Sequence, residues 1–156
     1  MKTLLLARHA KSDWAFPHLS DHDRPLNTRG RRDAPAMARR LTDDGVGVDH
    51  IVSSTATRAR STADEYAAAF GITVVEEAQL YAASARSILA IAAALPEQSS
   101  VAMLVGHNPG MSDAVAELTG EFVQLPTCAV AECAVDVGSW SELIEGSGRL
   151  LRIHTP

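Results

Sequence analysis

The chain has 156 residues, a formal net charge of -5 and a hydrophobic content of 46%, which suits one globular domain over residues 1–156 with a core of its own and argues against a second. Mild acidity without a Lys/Arg block excludes a nucleic-acid or membrane-surface footprint, so any anion site must be local. The longest apolar runs, about five residues against the ~20 needed to cross a bilayer, exclude a spanning helix, and with no signal-peptide pattern the expected location is the cytoplasm.

Short β-branched runs alternate with Ala-rich helical patterns, the signature of an α/β sheet with helices packed on it. A first strand is predicted over about Thr3 to Arg8. A helix follows over Gly30 to Thr42, with Ala34, Met37, Ala38 and Leu41 recurring on one face, Pro35 in its first turns and Gly45 as its stop. Next come a strand at His50 to Ser53, a helix from Arg58 to Phe70 closed by Gly71, and a strand at Thr73 to Glu76. A third helix covers Ser84 to Leu95, with Ser84 as its N-cap and Pro96 at its end. The strand Val101 to Val105 runs into a helix that opens near Pro109 and stops before Gly120. Beyond Pro126, AVAECAVDV and RLLRIHT read as two strands with no long helix between them, which predicts antiparallel pairing. Cys128 and Cys133 are spaced as neither a CxxC redox pair nor half of a zinc site, and read as packed, reduced thiols.

Polar groups collect at three strand ends: Arg8 and His9 after LLLA, Ser53, Ser54 and then Arg58 after HIV, and His107 and Asn108 after MLVG. In an open α/β sheet, ligands bind beyond the carboxyl ends of the parallel strands, so these tips converge on one pocket. Two arginines and two histidines suit a phosphoryl group, whose oxygens are matched by guanidinium forks, imidazoles and the free amides of the helix that starts near Arg58. A neutral imidazole pinned through one nitrogen aims the other at phosphorus, so His9 is a candidate nucleophile that splits transfer into phosphorylation and hydrolysis. Arg8, Arg58 and His107 would hold the charge on the phosphoryl oxygens, and such a scheme requires no metal.

LLLARHAKSDW, DHDRPLNTRG, SSTATRARSTA and VGHNPG, in that order, resemble the motifs of the histidine phosphatase superfamily, the phosphoglycerate mutase-like group, and specifically its small SixA-type phosphohistidine phosphatases. The similarity runs over nearly the whole chain, including LYAAS and the C-terminal hairpin. It implies that His9 is phosphorylated, that Arg8, Arg58 and His107 complete the phosphate pocket, and that the fold is a three-layer α/β/α sandwich, mostly parallel with a C-terminal antiparallel hairpin, working without a cofactor. Many superfamily members read RHG where this chain has Arg8-His9-Ala10, and larger ones carry a Glu proton donor in an insertion for which this chain is too short. The position that matches the acid/base of small members is Asp21 in LSDHDRPL, with Asp23 as its rival. A weak acid suits cleavage of a P–N bond, because the departing imidazole has a conjugate acid of pKa near ~6.5.

Other readings attach to the same region. His18 and His22 have a spacing that would ligate a metal on a helix, but Pro17, Ser20 and Pro25 argue for a loop and a solvated rim. Lys11 steers anions or is a surface lysine, and Arg24 anchors its loop or touches phosphate. Asn27 and Thr28 cap the first helix, and Trp14 and Phe16 form either an apolar lip for a protein partner or a cover for the core edge. The function expected is a phosphatase acting through phosphorylated His9 on phosphohistidine in a protein, of two-component or phosphorelay type. The alternatives are a small-molecule phosphomonoesterase or mutase on the same scaffold, and a non-catalytic module that binds phosphorylated partners. The partner is accordingly a phosphorylated protein or a small phosphorylated molecule, neither nucleic acid nor membrane, with the oligomeric state open.

Overall fold

The computed structural model describes residues 1–156. Strand β1 (Lys2–Arg8) lies in the interior of a sheet ordered β3-β2-β4-β1-β5-β6. Its side chains alternate between two cores: Leu4 and Leu6 face one, Leu5 and Ala7 the other, and all four are fully buried. Burial on both faces explains why β1 reads as a continuous apolar run rather than an alternating one.

Helices α1 (Thr28–Asp43) and α2 (Thr57–Phe70) cover the face that holds Leu5 and Ala7, through Ala34, Met37 and Leu41 on α1 and Ala59, Ala63 and Tyr66 on α2. Helices α3 (Ala85–Ala93) and α4 (Gly110–Thr119) cover the opposite face through Ile88, Leu89, Met111, Val115 and Leu118. The result is the α/β/α sandwich that the resemblance implies. No helix is long and apolar enough to cross a membrane.

The parallel part of the sheet comprises β1, β4 (Val101–Gly106), β2 (His50–Ser53) and β3 (Val74–Glu76), with Arg8 beside Gly106 and Ser53 beside Val105. Strands β5 (Val130–Val135) and β6 (Gly148–His154) form the antiparallel hairpin, and β5 also pairs antiparallel with β1, so β1 is where the sheet changes sense. Neighbouring β1 and β4 send their following helices to opposite faces, and a crevice therefore opens at their carboxyl ends.

Two boundaries differ from expectation in an instructive way. The first helix starts at Thr28, because the Asn27 side chain accepts the Gly30 N–H at 2.9 Å and caps it there. Pro35 consequently stands in the helix interior rather than its first turns, and leaves the Arg31 carbonyl without the usual amide donor. The third helix has Ser84 as its cap, as expected, but ends at Ala93. Both cysteines are free and buried, and burial pushes their thiols up to about 12.

Candidate active site

Sheet hydrogen bonding continues one residue past the strand ends: the His9 N–H donates to the Gly106 carbonyl at 3.0 Å and the Ser54 N–H to that of Val105 at 2.9 Å. That continuation sets His9, His107 and Ser54 side by side across β1, β4 and β2. The Ala10 N–H donates to Thr62 Oγ1 at 3.0 Å and the Thr62 hydroxyl to the Arg58 carbonyl at 2.8 Å, tying the segment after β1 to α2. Gly30 allows α1 to lie on the same segment, since a Cβ there would sit 2.1 Å from the Lys11 carbonyl oxygen.

The ring of His9 is 7% exposed. Its Nδ1 lies 2.7 Å from the Ala10 carbonyl oxygen, which can only accept, so Nδ1 carries the hydrogen and Nε2 holds the free lone pair. Burial first, then the charges of His107, Arg58 and Arg8, push the His9 pKa down to about 3 against the opposing pull of the Ala10 bond. The ring is therefore neutral at physiological pH. Its lone pair faces the Nε–H of Arg58 at 3.3 Å.

His107 stands with its ring centroid 5.0 Å from that of His9. Its Nε2 is 2.8 Å from the hydroxyl of Ser54, which also accepts the Ala56 N–H at the start of α2. Burial and, next, the Arg58 charge lower its pKa to about 4. Arg8 donates through Nη1 to the Leu125 carbonyl at 3.0 Å. Arg8 Nε and His107 Nδ1 are buried side-chain nitrogens with no hydrogen-bond partner. Unmet polar groups are uncommon in protein interiors; Arg8 Nε is a fixed donor and His107 Nδ1 becomes one when the Ser54 hydroxyl donates to Nε2, so the pair suits an acceptor such as a phosphoryl oxygen.

Arg58, in the first turn of α2 and 6% exposed, donates through Nη1 to the Asp21 carbonyl at 2.6 Å and through Nη2 to Asp21 Oδ2 at 3.0 Å. Asp21 Oδ1 accepts from Arg24 Nη2 at 3.0 Å, and Oδ2 also accepts the Tyr81 hydroxyl at 2.6 Å. The Tyr81 bond, followed by those from Arg24 and Arg58, holds the Asp21 carboxyl well below the usual carboxylate range in spite of partial burial. Of the two candidate aspartates, the one that reaches the arginines is thus Asp21. Asp23 is largely exposed and lies 3.4 Å from His22 Nδ1.

Around this centre, Arg24 takes the loop-anchoring role: it bonds Ser12 and Asp21 and stacks on Trp14, its guanidinium carbon 3.6 Å from the ring centroid. Trp14 stays 71% exposed even so. His22 Nε2 meets the Thr55 hydroxyl at 2.8 Å and His18 lies edge-on to Phe16, and no group of three His, Cys, Asp or Glu side chains is arranged for a metal ion. Asn108 shapes the turn before α4, joined to the Leu125 carbonyl and to Ser112, and the Asn108-Pro109 peptide is cis. Sequence reasoning missed Tyr81, the Thr62 link and the Leu125 carbonyl. The signal for the last two was faint, a threonine one turn after Arg58 and a proline after Leu125, and for Tyr81 there was none beyond the LYAAS stretch itself.

The family model of the histidine phosphatase superfamily (branch 1) matches residues 4–85, a span that holds Arg8, His9, Asp21, Arg58 and Tyr81. This chain belongs to that superfamily. Among curated relatives, an uncharacterized chloroplastic protein of Arabidopsis thaliana is 34% identical over 94% of this chain and 72% of its own length. An uncharacterized protein of Mycobacterium tuberculosis is also 34% identical, over 96% of this chain and 99% of its own. Among solved structures, a putative SixA phosphohistidine phosphatase of Agrobacterium tumefaciens is 32% identical with a TM-score of 0.85, covering 99% of this chain and 98% of that one. The superfamily member described here is thus of SixA type, with a phosphatase architecture throughout.

Proposed function

We propose that this protein is a metal-independent phosphatase that forms a phosphohistidine on His9 Nε2 and acts on phosphohistidine in a protein. The observation that carries the reading is a neutral His9, its Nδ1–H fixed on the Ala10 carbonyl and its Nε2 facing Arg58, beside two buried side-chain nitrogens without partners. In the first step the Nε2 lone pair attacks phosphorus, the bond from phosphorus to the substrate imidazole breaks, and that ring leaves neutral after taking a proton from solvent. The positive charge now on the His9 ring is held by its Nδ1–H on the Ala10 carbonyl. Arg58, Arg8 Nε and His107 Nδ1 stabilise the phosphoryl oxygens, the largest contribution expected in such transfers. In the second step water attacks phosphorus, the P–Nε2 bond breaks, phosphate departs and Asp21 accepts the proton of the water.

An ionised Asp21 favours this substrate class. A carboxylate held below its ordinary pKa stays ionised and carries no proton to give, which suits a leaving group whose conjugate acid has a pKa near ~6.5 better than an alkoxide that must be protonated as it departs. The likeness to SixA-type structures above 30% identity supports the same class.

Brief incubation with a labelled phosphodonor, followed by trapping of acid-labile, base-stable label, tests the intermediate; the parent is expected to carry label and His9→Ala none. A panel of a phosphohistidine protein, sugar phosphates and nucleotides tests the substrate, and faster turnover of the small esters would move the assignment to a phosphomonoesterase. Activity is expected to survive EDTA.

A further inference from the structure

The Asp21 carboxylate occupies the hydrogen-bonding edge of Arg58 that a phosphoryl group needs. Arg58 gives Nη2 to Asp21 Oδ2 and Nη1 to the Asp21 carbonyl, while its Nε–H faces the lone pair of His9. Binding of an oxyanion therefore requires Arg58 to exchange one anion for another, and the carboxylate it leaves must find its hydrogen bonds elsewhere. Arg24 already holds Oδ1 through Nη2 and Nε. The oxygen that Arg58 releases is Oδ2, and the Tyr81 hydroxyl donates to that same oxygen at 2.6 Å.

The chain around Tyr81 is built to hold it there. Ala82 has a φ of 53°, a left-handed conformation that a non-glycine residue adopts only under strain. The Ala83 carbonyl fits a notch that only glycine leaves open, since a Cβ on Gly110 would lie 2.1 Å from its oxygen. The Tyr81 ring is wedged edge-on between His107, at 5.5 Å between centroids, and His22, at 4.9 Å. The left-handed residue turns the chain between the 3-10 turn at Ala78–Leu80 and the Ser84 cap of α3, and in doing so fixes where Tyr81 points.

We propose that Tyr81 is a positioning residue that retains the Asp21 carboxylate at the pocket rim while Arg58 exchanges that carboxylate for the phosphoryl group. The inference rests on the phosphatase reading of the site. Tyr81 touches neither the phosphoryl group nor His9. It keeps Asp21 hydrogen-bonded and out of the line of attack during the exchange, ready for the second step.

Calorimetric binding of inorganic phosphate to the parent, Tyr81→Phe, Asp21→Ala and the double variant tests this without turnover. The bond exists with and without phosphate, so only its strengthening when Arg58 leaves counts, a fraction of the roughly 10-fold that a donor to a carboxylate is worth, and Tyr81→Phe is expected to weaken phosphate binding about 3- to 5-fold. Asp21→Ala, which removes the competing anion, is expected to tighten it by a factor of about 10. In the Asp21→Ala background, Tyr81→Phe is expected to change affinity less than about two-fold, the coupling expected of residues in one hydrogen-bonded network. Since phenylalanine keeps the ring between the two histidines, a role confined to packing predicts no effect in either background. Parental affinity in Tyr81→Phe, or an equal loss with and without Asp21, overturns the proposal. If the parent still traps label on His9 in that event, the phosphatase reading stands and only the role of Tyr81 falls; a parent that binds no phosphate overturns both.

Discussion

Two polar clusters in this molecule contain buried histidines, and they are assembled on opposite rules. At the hairpin end, His154 is 3% exposed and sets Nε2 2.8 Å from Glu132 Oε2 and Nδ1 3.3 Å from Asp44 Oδ2, with Arg152 donating to Glu132 at 2.8 Å. Side-chain nitrogens and carboxylates alternate there, and no buried side-chain nitrogen or oxygen is left without a partner. At the parallel strand ends, His9 and His107 are gathered with Arg8 and Arg58 around a single carboxylate, Asp21, and two buried nitrogens stay unmet. The first cluster completes itself on folding. The second is completed by something that arrives with negative charge, which is how a functional site differs from a structural one made of the same residue types.

Breaking the second cluster is expected to be the more damaging to activity. His9→Ala should lower turnover by at least about 10³-fold and abolish trapped phosphoenzyme, while the far-UV circular dichroism spectrum stays native. Arg58→Lys keeps the charge but loses the planar fork that reaches His9 and Asp21, and steady-state kinetics should show a loss in kcat/KM of about 10²-fold.

Acid sharpens the contrast further. The pKa of His107 is lowered from 6.5 to about 4 and that of His9 to about 3. Between those values and 6.5 the unfolded chain binds protons that the folded one refuses, so stability is full above pH 6.5 and declines as pH falls toward about 4. The slope approaches 1.4 kcal/mol per pH unit for each histidine. Urea unfolding of the parent and of His107→Gln across that window should show a shallower decline in the variant. His154→Ala has the smallest effect expected on function: stability drops by about 1–3 kcal/mol because Glu132 loses a buried partner, and turnover on any substrate of the parent stays within about two-fold.

Much of this arrangement is legible in the sequence because its causes are local. Burial on both faces makes β1 a continuous apolar run, and its abrupt end in Arg8 and His9 marks the crevice. Helix periodicity places α1 through α4 to within a few residues, and the errors fall where a cap decides, as with Asn27. What stays hidden depends on partners far apart in the chain. Nothing in the AVAECAVDV stretch says that β5 pairs with β1 as well as β6, since register is chosen by the whole sheet. Asp21 and Asp23 look alike in LSDHDRPL, and only the placement of Arg58 separates them. Tyr81 carries no periodic or charge signature, and its meaning comes from a carboxylate 60 positions away.

The contact between Arg58 Nε and His9 Nε2 has a chemical consequence. A lone pair already engaged by a guanidinium is shielded from uncharged electrophiles such as aldehydes and alkylating agents. An oxyanion draws the guanidinium to itself and unmasks the nitrogen in the same movement, so the resting histidine is armed only by the class of molecule it is built to meet.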